Sequence, residues 1–190
     1  MKNEHKKIFL KKSKILKLFL ISPFLVSIPF FSNNEVNAGL EFQWDQDSGY
    51  RRLKWFQKNN VKRRRNTIFF FLRPSDRKAG LLKINMKIPK TFKVTLKEEK
   101  ITLCRVFIGG FDARTKCLEN IPADIKLNED NTSLDIYPYS PIPSDKNSYA
   151  IVYKVFNPKR SGLYQFHSFG QAVGSVPVST YLGSWTIVID

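Results

Sequence analysis

Through much of this chain apolar side chains recur at every second position, and no other feature narrows the fold as far. Between Leu82, Ile84, Met86 and Ile88 stand Lys83, Asn85 and Lys87, and between Phe92, Val94 and Leu96 stand Lys93 and Thr95. A period of two sends alternate side chains to opposite faces, so these segments are predicted to be antiparallel strands with one wet face rather than helices. Further runs rich in β-branched and aromatic residues cover 67–72, 101–108, 125–127, 134–137, 149–156, 163–169 and 181–189. No amphipathic helical pattern follows residue 39.

The punctuation agrees. Proline has no N–H for a ladder, and Pro74, Pro89, Pro122, Pro138, Pro141, Pro143, Pro158 and Pro177 all fall between the runs. Gly109-Gly110, Glu129-Asp130-Asn131 and Arg160-Ser161-Gly162 supply turn chemistry. Short strands punctuated in this way predict an all-β fold, an antiparallel two-sheet β-sandwich of the immunoglobulin-like kind with about seven to nine strands.

The first 38 residues read differently. A basic piece with Lys2, Lys6, Lys7, Lys11, Lys12, Lys14 and Lys17 precedes an uncharged apolar piece over 18–31, then Ser32-Asn33-Asn34-Glu35. This is the pattern of a secretory signal peptide. The apolar piece contains Pro23 and Pro29 and is shorter than the roughly 20 residues a membrane-spanning helix needs, although an uncleaved anchor is the alternative. Val36-Asn37-Ala38 has small residues three and one before a cut, so cleavage is expected between Ala38 and Gly39. No cysteine for lipid attachment lies near it, and no arginine pair precedes the apolar piece. The remainder, 39–190, has no second apolar stretch of membrane length and is expected to form one domain, a basic, aromatic segment over 39–66 leading into a core over 67–190. A chain of that size buries roughly two thirds of its unfolded surface. Export places the protein in the periplasm or at the cell surface, with the thylakoid lumen or the medium also open.

Charge is unevenly spread. Residues 39–100 hold 17 Lys or Arg against 6 Asp or Glu, whereas residues 101–190 hold eight of each. The concentration is greatest where Arg51, Arg52, Lys54, Lys58, Lys62, Arg63, Arg64 and Arg65 are interleaved with Tyr50, Trp55 and Phe56. Cations mixed with flat rings hold polyanions by charge and stacking. Export disfavours nucleic acid as the ligand and favours acidic glycan, lipopolysaccharide phosphate or lipid headgroups. A solvated loop that keeps the protein soluble and guards an edge strand is the plainer reading of the same run. Most other rings belong in the core by alternation; Trp44 and Trp55, beside charged residues, are expected to be exposed.

Cys104 and Cys117 flank Gly109-Gly110, and a hairpin turning there brings them near each other, two residues out of direct register. In an oxidising compartment they are expected to pair, closing a loop of about 14 residues that contributes roughly 3 kcal/mol in the chain-entropy model. Two buried free thiols are the alternative. Catalytic patterns are weak. Ser75-Asp76-Arg77-Lys78 matches S-x-x-K but follows Pro74 in a turn, without companion motifs. Asp45, Asp47 and Ser48-Gly49 resemble part of a calcium loop, but Arg51 and Arg52 follow and no acidic ligand is spaced to complete it. His167 stands in a strand run without a nearby Cys or acid. No cofactor or metal site is indicated.

Many short pieces, in order, resemble one known family. They are Trp44-Asp45, Arg51-Arg52-Leu53, the run Phe71-Leu72-Arg73-Pro74-Ser75-Asp76-Arg77-Lys78, Leu103-Cys104-Arg105-Val106, Gly109-Gly110, Arg114-Thr115-Lys116-Cys117 and Ile121-Pro122-Ala123. Pro141-Ile142-Pro143, Tyr149-Ala150, Phe156-Asn157-Pro158, Gly162-Leu163-Tyr164-Gln165-Phe166 and Tyr181-Leu182-Gly183-Ser184-Trp185 continue the match. The chain is thereby similar to a family of small exported cyanobacterial proteins known only as a domain of unknown function. The resemblance implies an exported β-sandwich and carries no activity, cofactor or catalytic residue with it.

These readings lead to a non-catalytic exported sandwich that binds an anionic envelope component through Arg51 to Arg65. The alternative is a structural or assembly protein contacting a protein partner in the envelope or thylakoid lumen. An enzyme is the third possibility, for which carboxylates among Asp112, Glu119, Asp124 and Asp135 would have to converge in a cleft.

Overall fold

The computed structural model describes residues 49–174, 176 and 178–190. The signal-like segment, the expected cut between Ala38 and Gly39, and Trp44, Asp45, Asp47 and Ser48 lie outside the described residues. Ten strands are present: β1 (Trp55–Gln57), β2 (Arg65–Leu72), β3 (Leu81–Lys87), β4 (Ile101–Phe107), β5 (Lys116–Ile121), β6 (Ala123–Leu127), β7 (Ser133–Pro138), β8 (Ser148–Phe156), β9 (Gly162–Ala172) and β10 (Ser179–Ile189). They form two five-stranded sheets, in the orders β1-β2-β8-β4-β5 and β10-β9-β3-β7-β6. All neighbours within a sheet are antiparallel. The chain passes between the sheets after β2, β3, β5, β7 and β8, the interleaved connectivity of an immunoglobulin-like sandwich.

Alternation explains which side chains meet between the layers. From the first sheet Ile68, Phe70, Leu72, Leu103, Ile151 and Tyr153 point inward, and from the second Ile84, Met86, Leu134, Ile136, Phe166, Trp185 and Ile187 face them. Phe70 lies at the centre, with the rings of Tyr153, Phe166 and Trp185 at 5.1, 4.9 and 5.2 Å. The two polar rings find partners, as buried Tyr and Trp must. Trp185 Nε1 donates to the Phe71 carbonyl at 3.0 Å, and the Tyr153 hydroxyl lies 3.1 Å from the Met86 sulfur. Burial pushes the Tyr153 phenol well above its ordinary pKa.

Ten strands exceed the expected seven to nine, and two of them, β5 and β1, have sequences that hide them. In β5, Lys-Cys-Leu-Glu-Asn-Ile is mostly exposed at a sheet edge, so it lacks an apolar face to signal a strand. β1 is three residues long within the basic run. The reverse error concerns Phe92-Val94-Leu96, which alternates in burial but forms no ladder. Local bonds use its N–H groups: Phe92 N donates to Pro89, Lys93 N to Thr91 and Val94 N to Phe92, at 2.8 to 2.9 Å. Period two here marks an extended strap that sends Phe92 and Leu96 into the core.

Cys104 and Cys117 form a disulfide with Cα atoms 5.7 Å apart. Cys117 stands opposite Val106, two residues from Cys104, and a bulge between Arg105 and Val106 brings it within reach. The bond ties β4 to the exposed edge strand β5.

The basic segment is not an appendage before the core. Leu53 is 1% exposed and belongs to the central cluster. Around it the chain pairs in parallel with β10, Leu53 N donating to Ser184 O at 2.8 Å and Ser184 N to Arg51 O at 2.7 Å. It then pairs as β1 with β2, at the edge of the other sheet. One segment thus covers an edge of each sheet, which limits edge-to-edge association. Gly183 makes room for it: at φ 146° a Cβ there would sit 2.7 Å from the Arg51 carbonyl oxygen and from Leu53 Cγ.

Candidate functional site

Strand geometry divides the predicted basic patch. Exposure alternates from Arg51 to Asn60, so Arg52, Lys54, Phe56 and Lys58 point outward while Leu53, Trp55 and Gln57 point in. Outward positions two apart in a strand are spaced by about 6.8 Å, which makes a row of positive charge with one ring in it. Of the interleaved rings, Phe56 is 38% exposed, whereas Trp55, expected to be exposed, is half-buried and packs against the core. Arg51 also departs from the expected row, because its guanidinium donates to the Ser75 carbonyl at 3.0 Å.

Lys62, Arg63 and Arg64 occupy the turn between β1 and β2, Arg65 opens β2, and all four are exposed. A second turn, 157–161 between β8 and β9, holds this one in place. Arg63 N donates to Pro158 O at 3.3 Å, Asn157 N to Arg64 O at 2.9 Å, and Lys62 Nζ to Ser161 Oγ at 3.2 Å. The buried Asn157 side chain donates to the carbonyls of Asn59 and Val61 at 3.1 and 2.8 Å and accepts from Asn66 at 2.9 Å. Arg63 itself has φ 58°, a left-handed conformation that costs a residue other than glycine about 1 kcal/mol. The Arg65 guanidinium lies 5.5 Å from the centre of the exposed Phe156 ring.

The second turn contributes Lys159 and Arg160, and β8 contributes Lys154 opposite Thr67, all exposed. The sequence therefore understates the site. These cations belong to the neutral half of the chain, and only the pairing of β2 with β8 brings them to the same end. Ion pairs among the described residues involve Arg73, Arg77, Lys83, Lys97, Arg105 and Lys126. Lys54, Lys58, Lys62, Arg63, Arg64, Arg65, Lys154, Lys159 and Arg160 have no carboxylate partner there. Asp190, also at this end, accepts through its carboxylate from the Asn60 amide.

The remaining motifs resolve into structure. In Ser75-Asp76-Arg77-Lys78 the buried Asp76 pairs with Arg73 at 2.9 Å and accepts from its backbone N–H at 2.8 Å. Arg77 is equally buried, donating to the carbonyls of Pro143 and Asn147 at 2.8 and 2.7 Å beneath the Tyr149 ring. Burial pushes the nearby Asp145 carboxyl up, but hydrogen bonds from Asn147 and Tyr149 and the Arg77 charge outweigh it and hold the group below its ordinary pKa. The carboxylates considered for catalysis do not form one cleft. Glu119 pairs with Arg105 on the first sheet, while Asp124 and Asp135 pair with Lys126 and Lys83 on the second. No group of three His, Cys, Asp or Glu among the described residues is placed to hold a metal ion, and no described helix is long and apolar enough to cross a membrane. His167 Nδ1 lies 2.7 Å from Ser184 Oγ, which the Tyr181 hydroxyl meets at 2.6 Å. Ser184 is fully buried, so no substrate reaches it, and the trio fastens β9 to β10.

Solved structures are similar in layout and distant in sequence. A collagen-binding domain from a Staphylococcus aureus adhesin shares 13% identity over 71% of this chain and 95% of its own, with a TM-score of 0.39. The bacterial hydrophobin BslA shares 13% over 74% and 95%, with a TM-score of 0.46. An uncharacterised immunoglobulin-like protein from Nocardia farcinica shares 7% over 73% and 97%, with a TM-score of 0.39. No curated protein matches the sequence. The model of one family, described as a protein of unknown function (DUF2808), matches residues 46–189, and it is to this family that the chain belongs.

Proposed function

We propose that the protein is a non-catalytic binding module, exported to the periplasm or cell surface, that holds an anionic envelope component on its cationic end. One observation carries the reading: the exposed cations of two hydrogen-bonded turns gather at one end of the sandwich without carboxylate partners among the described residues. Charge placed only for solubility would be spread over the surface and interspersed with acids. Here the charge is concentrated and held by a buried asparagine, and one of its bearers, Arg63, occupies a backbone conformation that glycine would adopt more cheaply. An oxidising compartment is consistent with the disulfide. Long-range attraction between exposed charges is screened over about 8 Å at physiological ionic strength, so affinity should fall with salt.

Replacing Arg63, Arg64 and Arg65 by alanine should weaken binding to an acidic polysaccharide by about tenfold or more at low salt while leaving the melting temperature nearly unchanged. Isothermal titration with heparin measures this. Unaltered affinity in the triple variant would remove the basis of the proposal.

A second reading, docking to a protein partner, draws on Phe111, which is fully exposed at the tip of the loop after β4. An aromatic ring presented to solvent is a common interface anchor.

A further inference from the structure

Beyond the turn that bears Lys159 lies a groove that the basic run in the sequence does not reach. It has a volume of about 670 Å³ and is lined by Lys90 and Lys93 of the strap, by Asp130 and Asn131 of the turn between β6 and β7, and by Lys159, with Phe92 at its base. The three lysines are exposed, and none has a carboxylate within ion-pair distance among the described residues. Asp130 is the one acid in the lining. The volume falls in the range of pockets that take small organic ligands. Lys159 belongs to both features, because its turn is hydrogen-bonded to the Lys62–Arg65 turn on one side and forms a wall of the groove on the other.

We propose that the Lys90, Lys93 and Lys159 groove is the second half of the anion site, and that the ligand is a linear acidic polysaccharide running from the Lys62–Arg65 turn across the 157–161 turn into the groove. The inference rests on the binding function proposed above and narrows its ligand to one chemical class. The layout of the charges chooses polymer over membrane. Cations of the first group stand along a strand edge and around the end of the sandwich, and those of the second group line a concavity. A bilayer presents a plane of headgroups and cannot follow that path, whereas a single flexible chain can bend over the turn and lie in the groove. Asn131 and Thr132 in the wall offer uncharged hydrogen-bonding groups suited to sugar hydroxyls.

A chain that engages both clusters gains from the second contact being intramolecular, so long oligomers should bind more tightly than short ones. The test is titration of the purified protein with full-length heparin and with a short heparin oligosaccharide, repeated on K90A/K93A/K159A. The wild type should prefer the long chain. The variant should lose about tenfold in affinity for it, with a salt slope shallower by about two units, and should bind the short fragment with little change through the Lys62–Arg65 turn. If the wild type binds heparin and the variant keeps the long-chain preference, the groove is not part of the site and the inference fails, while the broader binding function stands. If the wild type binds neither heparin of either length nor anionic vesicles, both fail. Vesicles of phosphatidylglycerol and phosphatidylcholine form the third arm: strong binding to them, lost in the same variant by the same factor, would overturn the polymer assignment in favour of a lipid surface.

Discussion

Arg63 sets local stability against the proposed function within one residue. Its φ of 58° is paid for by the turn, so Arg63→Gly should leave stability unchanged or raise it by about 1 kcal/mol in urea unfolding while weakening heparin binding. A variant both less stable and equally good at binding would show that the arginine is there for the turn and not for a ligand. His167 offers a cleaner titration, since the other histidine of the chain is His5. Burial holds its pKa below 6.5; its Nδ1 meets the Ser184 hydroxyl, which the Tyr181 hydroxyl meets in turn, while Lys87 stands opposite on β3. The folded state therefore binds fewer protons than the unfolded chain just below pH 6.5. The stability this group contributes is present above 6.5 and is lost as pH falls through the folded-state pKa. The urea midpoint should decline as pH falls below 6.5, and His167→Asn should flatten that decline. An identical slope in the variant would contradict the assignment; Asp145, held low, loses its contribution only at more acidic pH, below its ordinary value of 3.8.

At the scale of elements, strands with an apolar face or an apolar run were legible, and those without one were not. β3 announces itself by alternation, β8 and β10 by runs rich in β-branched and aromatic residues. β5 shows no such face, and its main anchor is a disulfide whose register the sequence anticipates to within the bulge that completes it. Alternation reports burial, which a laddered strand and an extended segment that bonds to itself share, and the strap over Phe92, Val94 and Leu96 is of the second kind. The candidate site was half legible. Lys62 to Arg65 stand out as a run, but Lys159 and Arg160 join it only when the β8–β9 turn folds against the β1–β2 turn, and Lys90 and Lys93 meet Lys159 only where the strap lines the groove. Asn157 joins these turns and carries no charge. Asn157→Ala should cost about 1–3 kcal/mol in unfolding, since it leaves the Asn59 and Val61 carbonyls without their donor. Under conditions where the variant stays folded, it should still weaken heparin binding by loosening the turn. Full affinity in a destabilised variant would mean that the turn need not be held for binding.

For the molecule as a whole, the charge imbalance of the sequence becomes a spatial one. Arg77, Lys83, Arg105 and Lys126 are ion-paired elsewhere, while Lys58, Lys62, Arg63, Arg64, Arg65, Lys154, Lys159 and Arg160 gather without ion-pair partners among the described residues at the end where β2 begins and β8 finishes. If these cations hold a polyanion, the affinity of the purified protein for heparin, measured across a salt series, should fall linearly as log affinity against log salt, with a slope magnitude of several units that drops by about two in the Arg63, Arg64 and Arg65 triple alanine variant. An affinity independent of salt, or a slope that the triple variant leaves unchanged, would contradict that role.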